Sequence, residues 1–240
     1  MKPHAGPGLA AAAPAAAPTF GLYGGAFDPP HLGHVALAQA AVRQLRLQQL
    51  FVMPTGDAWH KPRHLTPAIH RLAMAERAFG PLDRVTVRRD EVDRSGPSYT
   101  VDTLAALQQA GPPHARWLVL MGEDQWRRIT TWSRWAQLME MATIVVAERP
   151  DAACASGHFF NESDPRVGPP HTGPLRLQAP PLPFSSTAIR QVLAGRHQDP
   201  SWAQTAQALG LPPAVARYIS HHPLYLNPPE SPTDERIQAP

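Results

Sequence analysis

The stretch Gly24-Gly25-Ala26-Phe27-Asp28-Pro29-Pro30-His31-Leu32-Gly33-His34 decides the fold prediction for this chain of 240 residues. It follows a short apolar run, Phe20–Tyr23, which is typical of a strand, and it leads into His34–Leu47, where apolar residues recur with helical spacing. The glycines predict a sharp turn at which the backbone can approach a phosphate closely. The amino end of a helix offers free N–H groups and the positive end of its dipole. The stretch therefore predicts an anion site between a first strand and a first helix.

Strand and helix signals continue to alternate after this stretch. Short apolar runs predict further strands at Leu50–Met53, Val85–Val87, Trp117–Met121, Thr143–Ala147 and Leu175–Leu177. Helical periodicity and capping residues predict helices at Thr66–Phe79 with Thr66 as the cap, Thr100–Gln109, Gln125–Ile129, Arg134–Met139, Ser186–Leu193 and Pro213–Ser220. This alternation predicts an α/β fold with a parallel sheet covered by helices on both faces. Ligands of such sheets bind beyond the carboxyl ends of the strands, so we expect the site after strands one, two, four and six.

Composition narrows the function classes. The net charge is +3 and the sequence pI is about 9.4, a balance that suits phosphorylated substrates or nucleic acid and equally a surface with no charged partner. The single cysteine, Cys154, excludes a disulfide framework and any zinc site that needs two thiolates. Cys154 lies in a Pro- and Gly-rich loop predicted at 149–174 and is not assigned a catalytic role.

The two ends of the chain differ from the middle. Residues 1–18 are mostly Ala, Pro and Gly, and prolines interrupt the run, so we predict a disordered leader on a cytoplasmic protein. No apolar stretch approaches the ~18 residues of a membrane helix. The domain is predicted to span 19–226 and to be followed by a flexible tail at 227–240.

Two short motifs carry the chemistry. His31 and His34 are three apart and can share one face of the helix start, and Gly33 removes a side chain that would block a nucleotide. Near the C-terminus the chain reads Phe184-Ser185-Ser186-Thr187-Ala188-Ile189-Arg190. Ser185 or Ser186 can cap the following helix, and Arg190 lies one turn inside, within reach of phosphoryl oxygens. By itself, this second motif is also compatible with an ordinary helix cap.

Together the motifs resemble a known family. Gly-Gly-x-Phe-Asp-Pro-x-His-x-Gly-His is similar to the signature of the nucleotidyltransferase superfamily, and most closely to that of the nicotinate-nucleotide adenylyltransferases. The second motif resembles the family pattern Ile-Ser-Ser-Thr-x-Ile-Arg, from which Phe184 departs. The resemblance extends from about Thr19 to Leu226 and implies a Rossmann-like doubly wound parallel sheet in a single nucleotidyltransferase domain. It also implies adenylyl transfer from ATP to nicotinate mononucleotide, giving nicotinate adenine dinucleotide and pyrophosphate, in NAD biosynthesis.

The resemblance also assigns residues to the two substrates. It implies that ATP contacts Gly24, Gly25, Phe27, His31, Gly33, His34, Ser185, Ser186, Thr187 and Arg190. The catalytic residues among these are His31, His34 and Arg190. It implies that the acceptor contacts Lys61, Tyr99, Thr100, Asp124 and Trp132, and Arg71 is a further candidate. Mg²⁺ is expected to arrive with ATP, and because it binds mainly to phosphates and water, no carboxylate cage is expected.

In the acceptor site, Thr100 would donate to a carboxylate, Asp124 would hold a ribose or order the site, and Trp132 would stack on the pyridine ring. Packing against the core or surface is the alternative for Trp132. Ser133 follows it where some relatives carry an aromatic residue. The sequence leaves the oligomeric state open.

Parts of the sequence are compatible with other functions. The acceptor could instead be nicotinamide mononucleotide or phosphopantetheine. Class I aminoacyl-tRNA synthetases share a similar His-x-Gly-His turn, but the chain is short for one and lacks their lysine-rich second signature. A nucleic-acid-binding module is disfavoured because the arginines are scattered, at Arg43, Arg88, Arg89, Arg127 and Arg128, without interleaved aromatic residues. Neither nucleic acid nor a membrane is expected as a partner.

Overall fold

A parallel sheet of six strands forms the centre of the molecule. A computed structural model of the chain describes residues 17–56, 65–147, 174–178, 182–194 and 202–226. The strands are β1 (Thr19–Gly25), β2 (Gln49–Pro54), β3 (Val85–Val87), β4 (Arg116–Gly122), β5 (Thr143–Ala147) and β6 (Leu175–Leu177). They lie in the order β3-β2-β1-β4-β5-β6, and every neighbouring pair is parallel. The strand order reverses direction between β1 and β4, which makes that junction the switch point where ligands bind in such sheets.

Helices connect the strands. They are α1 (Leu32–Gln44), α2 (Ala68–Phe79), α3 (Thr100–Ala110), α4 (Glu123–Trp126), α5 (Trp135–Met141), α6 (Ser186–Leu193), α7 (Trp202–Ala208) and α8 (Pro213–His221), with a 3₁₀ turn at Ile129–Thr131. Within the described ranges, none of these helices has the length and apolar character needed to span a membrane.

Both faces of the sheet are buried, because successive strand residues point to opposite sides. Tyr23 and Leu120 belong to one buried cluster, which also contains apolar residues of α1, α2, α6 and α8. Leu22 and Val119 belong to a second cluster, which contains apolar residues of α3 and α5. The prediction of a doubly wound α/β domain is therefore confirmed.

The strand register brings the functional loops to one edge. Tyr23 lies opposite Leu120 in the β1–β4 ladder, and Gly25 lies opposite Pro54 in the β1–β2 ladder. The carboxyl ends of β2, β1 and β4 are thus neighbours, and the loops that follow them share one edge of the sheet. The ligand site was predicted at this edge, beyond the carboxyl ends of the strands.

The first turn differs from its prediction. Gly24 and Gly25 are the last two residues of β1 and are not the turn itself. The chain turns at Phe27, whose φ of 47° lies in the left-handed region. Helix α1 then begins at Leu32, two positions earlier than predicted, because His31 caps it with extended backbone angles.

Helices α2 and α7 also differ from the prediction. Thr66 does not cap α2, because Pro67 occupies the cap position and no side chain bonds the helix end. Helix α7 was not predicted, since its short sequence, Trp202–Ala208, contains too few periodic apolar residues.

Three predicted segments lie outside the described residues. They are the leader apart from residues 17 and 18, the loop 149–174 apart from its last residue, and the tail 227–240.

Candidate active site

The two histidines of the first motif stack on each other at the amino end of α1. Their ring centroids are 3.8 Å apart and the ring planes are inclined by 31°. His31 is the cap residue, and its backbone N–H donates to Nδ1 of His34 at 3.2 Å. The backbone N–H of His34 donates to the carbonyl of His31 at 2.9 Å. As expected from their spacing, the two rings share one face of the helix start.

Both imidazoles are neutral at pH 7. Burial lowers the pKa of His31 to about 4. Burial, together with the neighbouring His31, lowers the pKa of His34 well below its usual value. Because Nδ1 of neutral His34 accepts a hydrogen bond, we assign its proton to Nε2, which makes Nε2–H a donor. Among the described residues, the buried Nδ1 of His31 has no hydrogen-bond partner, so a ligand or water has to satisfy it.

Gly33 and Phe27 lie directly against the two histidine rings. A Cβ atom on Gly33 would lie 3.0 Å from ring atoms of His31, so this glycine makes room for the His31 ring, whereas the sequence had assigned the space to a nucleotide. The Phe27 ring is only 3% exposed and meets His34 edge-on at a centroid distance of 5.4 Å. Because the ring is buried in this packing, a ligand at this loop would meet the backbone of Phe27 and not its ring.

The glycines that end β1 have different surroundings. A Cβ atom on Gly25 would lie 2.8 Å from the Phe27 ring, whereas a Cβ atom on Gly24 would have nothing within 4 Å. Gly25 is therefore needed for packing. Gly24 leaves open space at the end of the strand.

Helix α6 joins the second motif to the first. Ser185 caps the helix, and its Oγ accepts from the N–H of Ala188 at 3.1 Å. The hydroxyl of Ser186 donates to the carbonyl of Pro29 at 2.9 Å. Arg190 donates to the carbonyl of Asp28 at 2.6 Å and to Oγ1 of Thr187 at 3.1 Å. The amino end of α6 therefore lies directly against the loop that carries the histidines.

Asp28 was not singled out by the sequence, although it occupies the centre of this loop. It is 1% exposed, and its two carboxylate oxygens accept from the hydroxyl of Tyr225 at 2.7 Å and from the N–H of Thr66 at 3.4 Å. The Asp in the first motif gives a signal for this role, but Tyr225 lies in a segment without periodicity and gives none.

Arg71 corrects another expectation. It is 1% exposed and donates to the carbonyls of Thr66 at 2.8 Å, Ala26 at 3.0 Å and Gly56 at 2.8 Å. Because the side chain is buried, Arg71 cannot contact an acceptor. Through these three hydrogen bonds it connects the loop after β1 with the loop after β2.

The segments predicted to hold the acceptor meet on the other side of the sheet. Tyr99 caps α3 and Thr100 is its first residue. Arg134 reaches from the turn before α5, donating to Asp102 at 2.5 Å and lying 5.9 Å from the centroid of the Tyr99 ring. Trp132 is partly buried and packs against the second core cluster. Arg134 therefore links the two predicted acceptor segments, a contact that the sequence did not indicate.

Asp124 and Lys61 are the remaining residues predicted to contact the acceptor. Asp124 is exposed in α4, directly after β4 at the switch point. Lys61 lies outside the described residues. In the part of the chain that the structure describes, no group of three or more His, Cys, Asp or Glu side chains is arranged to hold a metal ion.

Known proteins match both the sequence and the fold. A family model described as cytidylyltransferase-like matches residues 22–192. A protein of Albidiferax ferrireducens named "Probable nicotinate-nucleotide adenylyltransferase" is 43% identical over 206 residues, which cover 85% of this chain and 96% of the relative. A protein of Methylibium petroleiphilum with the same name is 39% identical, with 87% and 92% covered.

A solved structure shares the fold. It is that of Plasmodium falciparum nicotinic acid mononucleotide adenylyltransferase complexed with NaAD, which superposes with a TM-score of 0.65 at 19% identity, covering 87% of this chain and 97% of that one. The family model matches well over half of this chain, at residues 22–192. The alignments with the two relatives cover 96% and 92% of those proteins. The chain thus belongs to the cytidylyltransferase-like family and, within it, to the nicotinate-nucleotide adenylyltransferases.

Proposed function

We propose that this enzyme transfers the adenylyl group of ATP to nicotinate mononucleotide, giving nicotinate adenine dinucleotide and pyrophosphate, as a step in NAD biosynthesis. The observation that carries the proposal is the junction of the two motifs. Ser186 and Arg190 at the start of α6 donate to carbonyls of the loop that carries the histidines. This junction brings the amino end of α6 and Arg190 next to the histidine loop, a set of donors suited to phosphate oxygens, and the two relatives named above carry the name of this activity.

The proposed reaction is a direct displacement. An oxygen of the acceptor's phosphate forms a bond to the α-phosphorus of ATP. The bond from the α-phosphorus to the bridging oxygen breaks, and pyrophosphate leaves with that electron pair. No protein nucleophile takes part, so catalysis consists of positioning and of stabilising the charge that builds on the leaving group.

The histidines are suited to this task as neutral donors. The assigned Nε2–H of His34 can donate to a phosphate oxygen, and this bond strengthens as negative charge develops. His31 stacks on it and is proposed to contact the same triphosphate. A neutral ring keeps its donor fixed without having to lose a proton during the reaction.

Helix α6 supplies the positive charge on the other side. We propose that Arg190 and the N–H groups at the amino end of α6 stabilise the leaving pyrophosphate. The hydroxyl of Ser186 is already bonded to Pro29 and that of Ser185 to the helix, so both are proposed to act on ATP through the backbone. Thr187 also orients Arg190, because it accepts from the guanidinium.

Enzymes of this family use ATP with a divalent metal ion, and we propose Mg²⁺ here. The residues fit an ion carried by the substrate, because the Asp28 carboxylate is bonded to Tyr225 and Thr66, and among the described residues no cluster of His, Cys, Asp or Glu side chains is arranged to hold a metal ion. Phosphate oxygens and water would complete its coordination. When bound, the ion neutralises phosphate charge.

The acceptor is proposed to lie between the amino end of α3 and the turn before α5. We propose that Thr100 and the first N–H groups of α3 bind the carboxylate, that Trp132 stacks on the pyridine ring, and that Asp124 holds a ribose. Tyr99 and Lys61 complete the proposed set. Because both nucleotides are intracellular metabolites, the reaction is proposed to take place in the cytoplasm.

The test is product formation with Mg-ATP and an acceptor, resolved by chromatography and mass. Nicotinate mononucleotide, nicotinamide mononucleotide and phosphopantetheine are compared at equal concentration, and a His34→Ala preparation controls for host enzymes. A large preference for the nicotinate form supports the proposal. Preference for the amide overturns the acceptor assignment, and turnover of phosphopantetheine alone, or of none of the three, overturns the proposed function.

A further inference from the structure

We infer that Tyr225, near the C-terminal end of the domain, is a positioning residue for the histidine loop and that it acts through the carboxylate of Asp28. The inference rests on the proposed function, because it concerns the loop where we place the phosphates of ATP. Tyr225 and Asp28 are 197 residues apart in sequence and are joined by a hydrogen bond of 2.7 Å.

The hydrogen bond from Tyr225 stabilises the buried carboxylate of Asp28. Asp28 is 1% exposed, and a carboxylate at such a site needs hydrogen-bond donors. The phenol of Tyr225 supplies one to Oδ1, and the N–H of Thr66 supplies another to Oδ2. Burial and the neighbouring Asp28 raise the pKa of Tyr225 above its usual range, so its hydroxyl keeps its proton at neutral pH and can donate.

Asp28 transmits this contact to the histidines. The Asp28 backbone carbonyl accepts from Arg190, and the next carbonyl, that of Pro29, accepts from Ser186. Helix α6 therefore holds the main chain of the loop, while Tyr225 holds its only buried carboxylate. Both contacts act within three residues of His31, the cap of α1. Loss of the phenol leaves the loop held by α6, by Thr66 and by Arg71, so the His31 and His34 rings lose one of their constraints.

The backbone of Tyr225 supports the same reading. Its φ is 67°, in the left-handed region that a non-glycine residue adopts only when its surroundings enforce it. The neighbouring Leu226 is 44% exposed, so the segment after α8 is not held by burial on that side. The Tyr225 hydroxyl, by contrast, reaches Asp28 and lies 3.9 Å from Sδ of Met74. Tyr225 therefore keeps an unfavourable backbone conformation at the point where its side chain reaches the histidine loop.

A matched pair of variants separates positioning from simple anchoring of the C-terminal segment. Tyr225→Phe removes the hydroxyl that donates to Asp28. Tyr218→Phe is the control, because it removes a hydroxyl bonded to Nδ1 of His70 at 2.9 Å on the α2–α8 surface. We expect Tyr225→Phe to lower kcat about 10-fold with a change in the KM for ATP below about 3-fold. The control should keep its kcat. Tyr225→Phe should also melt at a lower temperature than the control, because it leaves a buried carboxylate with one donor fewer, so kcat is compared at a temperature where both variants are fully folded.

A double-mutant cycle tests whether the effect passes through Asp28. In an Asp28→Ala background the phenol has no carboxylate to hold, so Tyr225→Phe should lower kcat by less than about 2-fold further. A second readout is the imidazole ¹⁵N spectrum of the nucleotide-free protein, which reports the tautomer of His34. It should shift toward mixed tautomers in Tyr225→Phe and stay unchanged in Tyr218→Phe.

Two results would overturn the inference. One is a Tyr225→Phe enzyme whose kcat and imidazole spectrum match those of Tyr218→Phe. The other is a loss of kcat that is fully additive with that of Asp28→Ala. Since the spectrum is recorded without substrates, it tests the positioning role even if the acceptor proves to be a different molecule, so failure of the inference and failure of the proposed function are distinguishable.

Discussion

The hydroxyl of Ser186 donates to the carbonyl of Pro29 at 2.9 Å across 157 residues of sequence. This bond joins the amino end of α6 to the loop between β1 and α1. It sets the distance between the two groups of donors that we propose to act on the triphosphate. The geometry of the site therefore depends on a contact that is itself not part of the chemistry.

Ser186→Ala should lower kcat about 10-fold, because the two halves of the anion site lose their direct bond. Stability should fall by about 1 kcal/mol, as for an ordinary hydrogen bond. Steady-state kinetics and urea unfolding measure the two effects. Ser186→Thr keeps the hydroxyl and should retain most of the activity, and Ser220→Ala, at an exposed position on α8, is the neutral control. Equal kcat in Ser186→Ala and Ser220→Ala would contradict the prediction.

His34→Ala should reduce kcat by about 100-fold or more, the cost of losing one donor to developing charge. The fold should remain intact, because the His34 ring is only partly buried and Phe27 beneath it stays packed. Single-turnover kinetics and circular dichroism check the two statements. His114→Asn, at an exposed position with a φ of 62°, is the control for a histidine outside the site. Near-normal turnover by His34→Ala would remove His34 from the proposed mechanism.

The stability of the enzyme should decrease as the pH falls from 7 to 5. His31 has an unfolded pKa near 6.5 and a folded pKa of about 4, so in this window the unfolded chain binds more protons than the native one. The stabilising contribution is fully present above 6.5 and is lost progressively toward 4. For His31 the loss by pH 5 is about 2 kcal/mol, and the lowered pKa of His34 acts in the same direction.

Urea unfolding at several pH values measures this dependence. The double variant His31→Asn, His34→Asn should show a markedly flatter stability profile between pH 5 and 7. A wild-type profile that is already flat, or one that rises toward pH 5, would show that the two rings are not held neutral.

Arg71→Met should destabilise the enzyme by about 3 kcal/mol or more, because it removes the buried guanidinium that donates to carbonyls of Ala26, Gly56 and Thr66 in the loops after β1 and β2. Arg77→Met is the matched control, since the Arg77 guanidinium donates at the surface to the carbonyl of Ala73. Thermal and urea unfolding compare the two variants. If Arg71 instead bound the acceptor, its variant would raise the KM for that substrate and leave stability unchanged.

Much of the fold could be predicted from sequence because its signals are local. Val85–Val87, Thr143–Ala147 and Leu175–Leu177 are short apolar runs between polar residues, and their predicted bounds match the strands. Ser186–Leu193 was also correct, since a serine cap precedes a strongly one-sided helix. The amino end of α1 was misjudged because a histidine is not a usual cap.

The candidate site was predictable only in part, for a different reason. The residues of each of the two motifs are contiguous in sequence, so their pattern is visible without the structure. Arg71 and Tyr225 work by contacts between distant segments, and nothing in their immediate neighbours indicates burial or a partner, whereas the motif around Asp28 points to a role but not to its partner. A buried arginine bonded to three carbonyls cannot be distinguished from a surface arginine on a helix without the structure.

The bond from Tyr225 to Asp28 has a consequence for how the enzyme is made. The sheet strands and the histidine loop leave the ribosome long before residue 225, and yet the loop receives its last constraint only when that residue docks. Contacts between such distant segments form late, because closing a long loop costs entropy before it is rewarded. A chain that is cut short before this tyrosine would thus have the sheet and both motifs but not the finished loop, so full turnover would be reserved for complete chains.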